Sequence, residues 1–133
     1  MQEVHVMEYI RRLIDDQLDR KSESFGAIHI VGPKGSGKTR TAKERCKTVI
    51  EFQDEEKRAG YLAVAQTSPN LFLNNEKPIL FDEWQDAPKI WGTIRKACDD
   101  APEDTGRYYL TGSTSQKVNT PHTGTGRIKE LQL

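Results

Sequence analysis

Eight consecutive residues, Gly32-Pro33-Lys34-Gly35-Ser36-Gly37-Lys38-Thr39, have the types and the spacing to hold a phosphate. They satisfy the pattern G-x-x-x-x-G-K-[ST] in full. Glycine gives the backbone freedom to curl, and a curled backbone turns successive N–H groups toward one spot, a concave anion nest. A helix opening at Gly37 would add its free N–H groups and the positive end of its dipole. Lys38 supplies a mobile positive charge for β- and γ-phosphates, and Thr39 a hydroxyl suited to Mg²⁺. In a chain of 133 residues a chance match is on the order of one in a few hundred. The plainer account, a glycine-rich turn beside an ordinary surface lysine, ranks below this one.

A phosphate loop alone hydrolyses nothing; it needs a carboxylate for the metal and another for water. Ile79-Leu80-Phe81-Asp82-Glu83 ends an apolar run on two acids. Asp82 is expected to hold Mg²⁺ through water and Glu83 to polarise the attacking water. An acidic pair after an apolar run is commonplace by itself, and it gains weight from the complete loop upstream. The alternative for Glu83 is a helix-capping or solvated carboxylate. Further on, "YYLTGSTS" brings Thr111 and Ser113 to the end of another strand. Ligands collect at the C-terminal edge of a parallel sheet, so both hydroxyls are placed to bond a γ-phosphate or the attacking water. A turn of small residues is the other reading, as good for Ser115 and poorer for Thr111.

The elements that must position these groups are legible as patterns. Val6, Ile10, Leu13, Ile14 and Gln17 recur at helical spacing, which predicts an amphipathic helix over about 6–19, followed by a connector to residue 24. "AIHIV", Ala27 to Val31, is a short β-branched run that ends on a glycine and predicts a buried strand. After the loop, Ala42, Cys46 and Val49 make an apolar helical stripe opposite a basic face, while "TVIEF" suits a second strand. "YLAVAQT" and "SPNLFL" predict short helical pieces, the second with Pro69 in its first turn. "PILFDE" is the third strand. Asp86 and Pro88 signal the start of a helix bearing Ile90, Trp91, Ile94, Ala97 and Cys98. "RYYLT" and "RIKELQL" complete five strands. Strands alternating with helices predict a three-layer α/β/α P-loop NTPase with a mainly parallel sheet, its core spanning 25–133.

Composition narrows the classes. The chain is one ordinary domain with a lean core, 35% hydrophobic. Twenty basic residues balance 20 acidic ones, so no global field draws in nucleic acid or an anionic membrane. No apolar run nears the roughly 20 residues that span a bilayer, and the N-terminus is too acidic for a signal peptide. Cys46 and Cys98 stand alone, which fits buried thiols in a reducing cytoplasm and excludes a Cys-x-x-Cys metal site. His29, inside the first strand, reads as a packed and hydrogen-bonded histidine, and His122 as a loop residue.

The segments "GPKGSGKT", "ILFDEWQDAP", "YYLTGSTS" and "HTGTGRIKELQL", in this order, resemble the AAA-type ATPase module of a bacterial and archaeal family. "DEWQ-x-AP" is the most specific of these elements, and the Gly-Arg-Ile after a histidine-glycine segment is the next. The resemblance covers nearly the whole chain. It implies ATP and Mg²⁺ as ligands, Lys38 and Thr39 on phosphate and metal, Asp82 and Glu83 on metal and water, and Thr111 or Ser113 as sensor. It assigns no job to Trp84 and Gln85, and packing of Trp84 on the following helix is the favoured reading. In that family a longer C-terminal region follows, with a restriction-endonuclease-like domain, so the chain is expected to be part of a larger protein. Arg127 is too far from its own γ-phosphate if it starts a fifth parallel strand. It then either reaches a neighbouring subunit's nucleotide as a trans arginine finger in a homo-oligomer or anchors the base of the sheet.

Three functions fit. The leading one is Mg²⁺-dependent ATP binding with weak or partner-stimulated hydrolysis. A small-molecule kinase would carry an arginine-rich lid, and the segment 112–126 contains no arginine. A nucleotide-binding switch linked to nucleic acid is hinted at by Arg40, Lys43, Arg45 and Lys47, for which a solvated helix face is the simpler account. The polar, glycine-rich segment 112–126 is long enough for a parallel crossover and is expected to be a mobile loop.

Overall fold

The computed structural model describes residues 13–113 and 125–133, with only the backbone of Thr125. Residues 13–22 are helical (α1). Then follow β1 (Ala27–Gly32), α2 (Lys38–Lys43), β2 (Thr48–Glu51), α3 (Arg58–Thr67), β3 (Ile79–Asp82), α4 (Lys89–Asp100), β4 (Tyr108–Ser113) and β5 (Ile128–Gln132). Short 3₁₀ helices cover Pro69–Asn74, Trp84–Asp86 and Thr125–Arg127.

The five strands form one sheet in the order β2-β3-β4-β1-β5, and every pairing is parallel. A parallel sheet is covered on both faces, which is why its central strands read as continuous apolar runs. One face carries α3 and α4 over Phe52, Phe72, Phe81, Leu110 and the apolar stripe of α4. The other carries α1 and α2 over Ile28, Ile30, Leu80 and Tyr109. The aromatic rings of Phe52, Tyr61, Phe72 and Phe81 interlock at 5.9–6.4 Å and fill the space under α3.

Several expectations change in detail. Residues 1–12, which include the first half of the helix expected over about 6–19, lie outside the described residues, as do Ser115, His122 and the rest of the segment 114–124. In α1 the inward positions are Ile14 and Leu18 rather than Leu13, which is 46% exposed, and Gln17. Ile14 and Leu18, one turn apart, pack on the sheet, and Asp15 and Asp19 beside them pair with Arg45. Helix α2 is six residues long and stops before Cys46 and Val49. The backbone N–H groups of Lys47 and Thr48 donate to Pro78 O, and from there the β-branched run Thr48-Val49-Ile50 is taken up by β2. Asp86 does not cap α4: Pro88 holds that position and no side chain bonds there. The Asp86 carboxylate instead accepts bonds from Arg58 (2.8 Å) and Gln53 (3.1 Å).

Candidate nucleotide site

Register brings the predicted residues to one edge. Thr111 pairs with Ile30 on one side and with Asp82 on the other, and Gly32 pairs with Ser113. The ends of β1, β3 and β4 therefore meet where the glycine loop leaves the sheet. Gly32 is buried there and has no room for a side chain: a Cβ would come within 2.8 Å of Ser36 Oγ. Gly35 and Gly37 have φ of 84° and 89°, backbone that L-residues with a side chain adopt at a cost. Pro33 to Gly37 stand at the surface with the turn Ser36 N to Pro33 O (3.1 Å), and Lys34 is exposed. Gly35, Gly37, Lys38, Thr39, Arg40 and Lys43 line an open pocket of about 460 Å³.

Beneath this pocket the polar side chains interlock. Lys38 is 3% exposed, with its Nζ 3.3 Å from Glu83 Oε1 and 3.5 Å from Ser113 Oγ. Thr39 Oγ1 donates to Asp82 Oδ1 (2.7 Å), and Thr111 Oγ1 donates to the same oxygen (2.6 Å). The Glu83 N–H in turn donates to Thr111 Oγ1 (3.0 Å). Ser113 Oγ lies 3.2 Å from both Glu83 carboxylate oxygens, and Gln85 Nε2 donates to Oε2. Buried polar groups are tolerable only when bonded, and Lys38, Asp82, Glu83, Thr111 and Ser113 all are. The arrangement presents a buried ammonium, a hydroxyl–carboxylate pair and a second carboxylate beside an open glycine loop. Those are the groups an anionic phosphate and a hard cation require.

Arg127 lies apart from this cluster, at the opposite end of the sheet from the loop. It precedes β5, whose first residue pairs with Ala27, and its Nε is 3.3 Å from Asp99 Oδ1 at the end of α4. The basic residues around α2 are paired with acids: Arg40 with Glu44, Lys43 with Glu51, Arg45 with Asp15 and Asp19, Lys47 with Glu76. No three His, Cys, Asp or Glu side chains cluster among the described residues. Cys46 and Cys98 are free thiols, and burial pushes Cys46 up to about 12. No helix among the described residues is long and apolar enough to cross a membrane.

Two contacts escaped sequence reasoning. Gln85 binds the carboxylate two residues before it, which no strand or helix spacing announces. His29, 4% exposed, accepts a hydrogen bond from Trp84 Nε1 across the sheet (2.9 Å). Its neutral, acceptor state agrees with burial, which lowers its pKa to about 4.

The parallel sheet, its flanking helices and the glycine loop define a P-loop NTPase-like α/β fold. Residues 24–133 match the family model described as AAA domain, and the chain belongs to that family. A comparison with curated proteins finds no match.

Proposed function

We propose that the chain binds ATP with Mg²⁺ at this site and hydrolyses it slowly or on stimulation by a partner. The single observation that carries the reading is the buried Lys38, held by Glu83 and Ser113 directly under an open glycine loop. A lysine this buried forgoes hydration, and a phosphate entering the loop would offer it a stronger counter-charge than one shared carboxylate. As Lys38 turns to the phosphate, Glu83 Oε1 loses its cationic partner and becomes free to accept a bond from water.

Thr39 and Asp82 fit a magnesium ion: both offer hard oxygen, they lie within hydrogen-bonding distance of each other, and few protein ligands are needed when phosphates supply the rest. Bound there, Mg²⁺ would neutralise charge on the phosphate oxygens. Thr111 fixes both acids, one through its hydroxyl proton and the other through its lone pair, and so orients the pair rather than waiting free for a ligand. Ser113 sets the rotamer of Glu83. For Arg127 the pairing with Asp99 supports the anchoring role over a trans finger, and sedimentation of wild type and Arg127→Ala with ATP separates the two.

Glu83→Gln tests the chemistry. The variant should bind ATP like wild type while turnover falls by about 10²–10⁴-fold. Turnover within twofold of wild type would remove Glu83 from the reaction.

A further inference from the structure

Trp84 and Gln85 follow the two acids directly, and the Trp84 indole N–H donates to His29 rather than to a carboxylate. Its task is suggested by the backbone. In β3, Ile79 and Phe81 face the α3/α4 side, while Leu80 and Asp82 face α2. Continued alternation would send Glu83 to the side of Phe81, away from Lys38. Glu83 instead has φ 57° and ψ 56°, left-handed backbone in a residue with a side chain, and its carboxylate returns to within 3.3 Å of Lys38. Such backbone persists only where the surroundings hold it.

Thr111 accepts the Glu83 N–H and Ser113 and Gln85 bond its carboxylate, and the next residue anchors the chain on the opposite face. Trp84 drops to the α4 side, 2% exposed, with its ring 5.0 Å from Trp91 and 5.6 Å from His29. Its Nε1 donates to His29 Nε2, a polar acceptor in the middle of an otherwise apolar strand. The bond passes over Gly112, where a Cβ would lie 3.2 Å from Trp84 Nε1 and 3.3 Å from His29 Nε2. An acceptor at Nε2 requires the neutral ring with its proton on Nδ1. That nitrogen is 3.8 Å from Glu130 Oε1, too far for a hydrogen bond.

We infer that His29 and Trp84 form a positioning latch: their hydrogen bond across Gly112 fixes the left-handed turn at Glu83 and holds its carboxylate on the Lys38 side of the sheet. The latch rests on the reading of Glu83 as the residue that acts on water. It explains why a tryptophan follows the acids and why a histidine interrupts β1. Packing alone would ask for neither the indole N–H nor the imidazole acceptor.

The test uses the full chain and four variants: Trp84→Phe, His29→Leu, the two combined, and His29→Gln, whose amide oxygen takes the place of Nε2. ATP turnover and ATP affinity are measured for each. Trp84→Phe and His29→Leu should each lower kcat about tenfold, with affinity within twofold, and the double variant should be no worse than either. His29→Gln should recover most of the loss. Unchanged kcat, equal loss of kcat and affinity, or failure of His29→Gln to rescue would overturn the latch. Should His29→Leu not fold, Trp84→Phe, which keeps an aromatic ring without the N–H, decides alone. A wild-type chain without turnover would contradict hydrolysis and not the latch. The latch is then read from the Glu83 carboxyl ¹³C resonance, which should move in Trp84→Phe and return in no variant lacking the bond. A resonance that stays in place overturns it.

Discussion

Asp82 and Glu83 are neighbours in sequence, and consecutive strand residues face opposite sides of a sheet. Both nevertheless serve one cluster, because the chain turns left-handed at the second acid. Local bonds support that turn beside the Trp84–His29 latch: the Glu83 N–H donates to Thr111, and Ser113 and Gln85 bond its carboxylate. Gly112 is part of the same construction. Gly112→Ala would press a methyl against Trp84 and His29, and a loss of about 1–3 kcal/mol in urea unfolding is expected. His29 makes a pH prediction with a definite sign. Its pKa falls from 6.5 to about 4 on folding, so the unfolded chain takes up a proton first as pH drops. The contribution to stability is intact above about pH 6.5 and is lost toward pH 4, at up to about 1.4 kcal/mol per pH unit. The urea midpoint of wild type should fall over that window more steeply than that of His29→Gln, and parallel curves would show that folding does not lower the His29 pKa.

At the scale of elements, α4 and α1 clamp the sheet from its two faces. Ile94 is fully buried on α4, and Ile94→Ala should cost about 2–5 kcal/mol in thermal or urea unfolding. Arg45 ties α1 to the turn after α2, and Arg45→Ala should cost about 1–2 kcal/mol while raising hydrogen exchange in α1 selectively. The five strands and α4 were readable from the sequence because each depends on its own residues: short β-branched, apolar or alternating runs for the strands, an i, i+4, i+7, i+8 stripe for the helix. What was not readable depends on partners distant in sequence. The stripe Ala42, Cys46, Val49 looked helical, yet pairing with β3 claims Val49. Leu13 looked buried, yet α1 turns Ile14 and Leu18 to the sheet and leaves Leu13 exposed. The glycine loop and the acid pair were legible as a motif, whereas the turn at Glu83 and the His29–Trp84 bond across 55 residues were not.

For the molecule as a whole, parallel pairing collects three strand ends at one edge and leaves Arg127 at the other. Charge is balanced, and among the described residues the basic side chains around α2 are paired locally with acids. Membership of the AAA domain family agrees with the site in pointing to nucleotide. The measurement that tests this most directly is ATP affinity, with Mg²⁺ present, in wild type and Lys38→Ala. Loss of one charge-assisted contact predicts binding weaker by about 10–100-fold in the variant, with the fold intact by circular dichroism. Equal affinity in the two proteins would contradict the placement of nucleotide at the glycine loop.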